Sequence, residues 1–133
     1  MREWLWAVGS FYVLLGVRFL PAINGKQLQR MRERILPSWT APPESVEFKA
    51  LVDWQWTFGL DLFAIGLVGI VSAAVGSSAG YRYVVWVIVA REFIAGIIPD
   101  AWLIIRGYTQ SSFYGGFIVL HAAIIATGLW LLS

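Results

Sequence analysis

The 133-residue sequence contains no cysteine and one histidine. Without cysteine there is no disulfide, thiolate nucleophile, iron–sulfur cluster or cysteine-ligated zinc or haem. One histidine excludes a multi-histidine metal centre within one chain. Charge is also scarce, at 14% of residues, where soluble domains carry about 25%. The formal net charge of +2 is too small and dispersed for a nucleic-acid footprint. No Gly-rich phosphate loop, Ser/His/Asp spacing or HExxH helix occurs. No catalytic residue, metal or cofactor is therefore assigned.

What the sequence has in abundance is apolar surface. Hydrophobic residues make up 59% of the chain, and the mean hydropathy is +0.69. So few charges could not cover a water-soluble domain, which points to one integral membrane domain. Four apolar runs are evident: Trp4–Leu20, about Ala50–Val75, about Tyr81–Ile105 and Phe113–Leu132. A helix needs about 20 mainly apolar residues to cross hydrocarbon, so the first run, with 17, sits at the lower limit. The short alternating segments of a transmembrane barrel do not occur. Met1-Arg2-Glu3 is a poor basic leader, and Arg18-Phe19-Leu20-Pro21 is no small-residue cleavage site. The first run is read as a retained span. The expected fold is all-α, an antiparallel bundle of four transmembrane helices.

The links differ in character. Gly76-Ser77-Ser78-Ala79-Gly80 reads as a tight turn joining spans two and three. Gly107 to Ser112 is also short, with Ser111 or Ser112 as a cap for the last helix. The first link, about Pro21–Glu47, holds most of the polarity. Leu28, Met31 and Ile35 repeat at helical spacing within it, while Lys26, Arg30, Arg32 and Arg34 take other faces. This pattern predicts a basic amphipathic helix at the lipid headgroups, ended by Pro37. Pro42-Pro43 forms a stiff connector, and Ser45 with Glu47 starts the second helix.

Lys26, Arg30, Arg32, Arg34, Lys49 and Arg106 fall on one side of the bundle, against Arg2 and Arg82 on the other. The positive-inside rule then puts both termini outside and the basic loop in the cytoplasm. The eight tryptophans lie mostly near span ends. An interfacial belt is the plainer reading and an aromatic-lined pocket the alternative. Gly9 and Gly16, then Gly59, Gly66 and Ala73, and Gly115, Ala122 and Ala126 form small-residue stripes. Such stripes let helices approach closely. Packing within one chain is favoured over a homodimer seam.

Charges inside hydrocarbon need partners or water. Asp61, Arg91, Glu92 and His121 fall near the middle of spans two, three and four. An Asp61–Arg91 pair is expected there, leaving Glu92 to His121 or to its own proton. Arg18, Asp53, Asp100 and Arg106 lie toward the basic-loop side, with Arg18–Asp53 and Arg106–Asp100 as candidate pairs. Pro99 frees a carbonyl near Ala95. On a regular helix Glu92 and Asp100 stand about 80° apart around the axis. The whole track reads either as a brace that fixes helix register or as a proton or ligand pathway.

Several stretches resemble the BphX-like proteins, small four-helix bacterial membrane proteins. They are Phe11-Tyr12-Val13-Leu14-Leu15, Leu51-Val52-Asp53-Trp54 and Phe58-Gly59-Leu60 in the first half. In the second half they are Arg91-Glu92-Phe93-Ile94-Ala95-Gly96-Ile97, Asp100, Arg106-Gly107-Tyr108, Ile118-Val119-Leu120-His121 and Ile124-Ile125-Ala126-Thr127-Gly128. The resemblance implies a four-helix fold in the bacterial inner membrane and no particular activity. The expected function is a non-enzymatic accessory or oligomerising subunit, as a homodimer or in a larger membrane complex. The alternative is a dimeric proton-coupled carrier, or a bundle that binds a hydrophobic ligand through Asp61, Arg91, Glu92 and His121.

Overall fold

The computed structural model describes residues 1–35 and 39–133, with the backbone alone for 31–35. The helices are α1 (Arg2–Arg18), α2 (Pro21–Ile35), α3 (Val46–Val75), α4 (Ser78–Arg91), α5 (Ile98–Ile105) and α6 (Ser111–Leu132). A π-helical turn, Glu92–Ile97, joins α4 to α5. No strand occurs among the described residues. Two helices, α3 and α6, are long and apolar enough to cross a membrane, and α1 with α2, bent by 78°, gives a third if the pair is one span.

Local chemistry sets the helix ends. The Ser45 hydroxyl accepts from the Phe48 amide at 3.1 Å, and Glu47 stands in the first turn of α3. Both features compensate the orphan amides of a helix start. Ser77 does the same for Gly80 at 3.3 Å. The turn expected over Gly76–Gly80 is therefore only Gly76 and Ser77, with α4 beginning at Ser78. At α6 the expected serine cap is absent. Gln110 holds the cap position, its side chain does not cap the first-turn amides, and Ser111 is already helical. Gly107, at φ 69°, ends α5 in the left-handed conformation. Tyr108 N–H donates back to Leu103 O at 3.1 Å, and Gly107 N–H to Ile104 O at 2.9 Å. This is the Schellman arrangement that glycine favours.

Pro99 cannot donate to the Ala95 carbonyl, which loosens the helix one turn upstream. The π turn forms there, with Ile98 N–H reaching Phe93 O. Helical dihedrals persist through both junctions, so the backbone coils from Ser78 to Ile105 without a break.

Helices α1 and α3 meet along glycine. A Cβ on Gly9 would stand 2.8 Å from Gly66 O, and one on Gly16 would stand 2.6 Å from Gly59 O. Position 9 faces 66 and position 16 faces 59, so the two helices run in opposite directions. The stripes on these helices are thus used inside the chain. Of the α6 glycines only Gly128 is closely packed, against Val89, while Gly115 has nothing within 4 Å, and Ala122 and Ala126 are exposed. Leu5, Tyr12, Leu62, Val85, Ile88 and Ile124 form the main core between α1, α3, α4 and α6.

Arginines close two helix C-termini at one end of the molecule. Arg2 Nε donates to Ala73 O at 3.0 Å, and Arg82 Nη2 to Leu132 O at 2.9 Å. Each supplies a donor and a positive charge where the helix carries orphan carbonyls. At the other end α2 starts at Pro21, earlier than the basic stretch suggests. Leu28 packs with Phe48 and Val52, and Trp39 stacks on Phe48 at 5.3 Å. Asn24, also buried, donates to Gln55 Oε1 at 2.7 Å. Lys26 and Arg30 are exposed on this helix. The side chains of Met31, Arg32, Arg34 and Ile35, and the whole of Pro37, lie outside the described residues.

Candidate functional site

A chain of charged side chains crosses the middle of the molecule. Arg91 donates through Nε and Nη2 to Asp61 Oδ2, at 3.1 and 2.6 Å. Its Nη1 donates to Glu92 Oε1 at 2.8 Å. Glu92 Oε2 stands 2.6 Å from His121 Nδ1. His121 Nε2 lies 3.4 Å from Asp100 Oδ2. The guanidinium also stacks over two rings, 5.4 Å from the Tyr12 centroid and 5.9 Å from that of Phe58. These faces shield its stem and add cation–π attraction.

Glu92 is fully buried, and both of its oxygens are engaged. Burial of a carboxylate is tolerable only with such partners. Asp61 is different, with a side chain 57% exposed on the outer surface of α3.

The π turn explains how Glu92 and Asp100 reach one imidazole. It spends one extra residue on the same rotation, which reduces their separation from about 80° to about 20° around the axis. Gly96 lies between them. A Cβ there would stand 2.6 Å from His121 Nδ1, so the imidazole occupies the room that glycine leaves. An imidazole between two carboxylates can accept a proton on one nitrogen and release one from the other.

The rest of the sequence-derived track is not assembled this way. The Arg106–Asp100 pair does not form, because Asp100 faces His121 and Arg106 is an exposed cap that donates to the Tyr108 hydroxyl at 3.0 Å. Arg18 turns along the chain to Gln27 Oε1 at 3.3 Å instead of toward Asp53. Asp53 is exposed, and no ion pair of it occurs among the described residues.

The network floors a cavity of about 600 Å³, a size that suits small-molecule ligands. Aromatic side chains make much of its wall: Phe11, Tyr12, Phe19 and Phe58 from α1, α3 and their link, with Phe113, Tyr114 and Phe117 from α6. Glu92, Asp100 and His121 face it as well, and Asn24, Gln27 and Gln55 line it beside α2. The pocket's aromatics are mainly phenylalanine and tyrosine, with Trp54 the single tryptophan. Sequence reasoning therefore missed Tyr12, Asn24 and Gln55. Their one signal was polarity within or beside apolar runs. Among the described residues no group of histidine and carboxylates is arranged to hold a metal ion.

Among the described residues the chain is all-helical, two of its helices are long and apolar enough to cross a membrane, and a paired Arg–Glu–His track lies between helices. The chain belongs to the BphX-like family, whose pattern it matches over residues 1–133. No curated protein and no solved structure matches it.

Proposed function

We propose that the protein is a four-span inner-membrane bundle that binds a small hydrophobic molecule between its helices. The spans are α1, α3, the continuous coil from Ser78 to Ile105, and α6. In this reading α2 lies along the headgroups with Lys26, Arg30, Arg32 and Arg34 toward anionic lipid. Both termini are outside, and the α2 side faces the cytoplasm.

The observation that carries the binding reading is the aromatic-walled cavity of about 600 Å³ over a fully buried Glu92. A bundle braced only for stability has no need of such a space, since empty volume costs packing energy. Filling the cavity tests this. Ala95 lines it with a small side chain, so Ala95→Trp should keep the helical content and abolish binding of apolar probes. Unchanged binding would contradict the reading.

Two observations favour a partner in addition. Asp61 presents a 57% exposed carboxylate on the outer face of α3, where hydrocarbon would make exposure costly. The Gly115, Ala122 and Ala126 stripe of α6 is open. A second copy or another membrane helix seated on these faces would make the chain an oligomerising or accessory subunit. The Glu92–His121–Asp100 series would supply proton coupling in a dimeric carrier.

A further inference from the structure

We infer that the cavity takes an amphiphilic acid, with its apolar body against the aromatic wall and its carboxylate on Arg18 beside α2. This rests on the ligand-binding reading above and names the ligand's chemistry.

Arg18, Glu92 and Asp100 are the charged side chains that line the cavity beside His121. The two acids have basic partners. Arg91 and His121 hold Glu92, and His121 Nε2 faces Asp100. Arg18 pairs with no carboxylate among the described residues. It gives one hydrogen bond there, to the neutral Gln27 Oε1 at 3.3 Å. A guanidinium carries several N–H donors in a planar fork, so most of them stay open to a ligand. That fork fits the two oxygens of a carboxylate. The neighbouring amides add donors. Gln27 Oε1 accepts from Arg18, and Gln55 Oε1 accepts from Asn24 at 2.7 Å. With these oxygens used, each glutamine has its NH2 group left to donate. Arg18, Gln27 and Gln55 line the same cavity, and their surplus of donors suits an anion. Glu92 and Asp100 repel a carboxylate, which sets the ligand's direction: head on Arg18, body over the floor. Arg18 is exposed, so the head keeps part of its hydration, which a fully enclosed anion would lose at high cost. The remaining wall offers aromatic faces, which suit an apolar body.

The test uses the full-length protein in phosphatidylcholine nanodiscs and four probes of one shape: naphthalene, 1-naphthol, 1-naphthoate and 1-naphthylmethylammonium. Binding is followed by titration calorimetry, with empty discs subtracted. The wild type should bind 1-naphthoate more tightly than the other three. Arg18→Gln removes the charge and should weaken 1-naphthoate by about 3- to 20-fold, while naphthalene is unchanged. Arg18→Lys keeps the charge without the fork and should fall between. Equal affinity for 1-naphthoate and naphthalene, an equal response of both to Arg18→Gln, or tightest binding of the ammonium probe would overturn the inference. Discs of phosphatidylglycerol distinguish a free acid from a lipid headgroup as the anion. The Arg18-dependent difference should persist in them, and its loss would mean that lipid phosphate takes Arg18, against the inference. The Ala95→Trp protein separates the two levels. If it loses every probe while Arg18→Gln has no selective effect, the cavity stands and the role of Arg18 falls. If 1-naphthoate still binds to Ala95→Trp, or none of the four binds the wild type, the cavity reading itself falls.

Discussion

Glu92 and Asp100, eight positions apart in sequence, meet on opposite nitrogens of the His121 ring, at 2.6 and 3.4 Å. Gly96, within the π turn, leaves the room the ring needs. Gly96→Ala should push the imidazole off both carboxylates and cost about 1–3 kcal/mol, as overpacking does. Because His121 is the one histidine, nitrogen NMR of histidine-labelled protein reads this site alone. Its ring signals should move in Gly96→Ala and stay in place in Gly115→Ala, where no neighbour lies within 4 Å. Unmoved signals in Gly96→Ala would contradict the packing.

The α1–α3 seam gives a second comparison. A Cβ at Gly66 would stand 2.7 Å from the Gly9 carbonyl, which is backbone and cannot swing away. Gly66→Ala should therefore lower thermal stability in detergent by about 1–3 kcal/mol. Gly115→Ala should be neutral or slightly stabilising, since alanine is the better helix former by about 1 kcal/mol. Equal effects of the two would place the α1–α3 contact elsewhere.

Arg91 neutralises a fully buried Glu92. Arg91→Met strands that carboxylate, and such a change costs about 3–5 kcal/mol. The double variant Arg91→Met with Glu92→Met should recover much of the loss in equilibrium unfolding. Asp61→Asn should cost less than Arg91→Met, because its side chain is more than half exposed. Additive losses in the double variant would mean that the two residues do not form a unit.

Much of this was legible in the sequence because hydrocarbon imposes simple rules. Apolar length marked the helices, and Ser45 marked the start of α3. The depth of Asp61, Arg91, Glu92 and His121 brought them to one level, since hairpin neighbours align by position. Partner choice further down was not legible. Asp100 was matched to Arg106 by charge alone, whereas the π turn rotates it onto His121. That turn depends on how the chain absorbs the missing donor of Pro99, which periodicity does not encode. The cavity was equally hidden, because it arises where α2 and α6 stand apart from the close α1–α3 glycine contact.

The proposed membrane topology rests on the charge bias and is open to direct labelling, since the absence of cysteine lets one introduced thiol report alone. Ser77→Cys should react with an impermeant maleimide on intact cells. Glu44→Cys should react only after permeabilisation. Labelling of both from the same side would contradict the four-span arrangement.

The most direct measurement is native mass spectrometry of the chain extracted with its lipid in polymer discs, wild type beside Ala95→Trp. The account predicts that the wild type carries one small hydrophobic molecule that the variant lacks, with both chains in the same assembly. Identical masses apart from the substitution would contradict the claim that this bundle exists to hold a ligand.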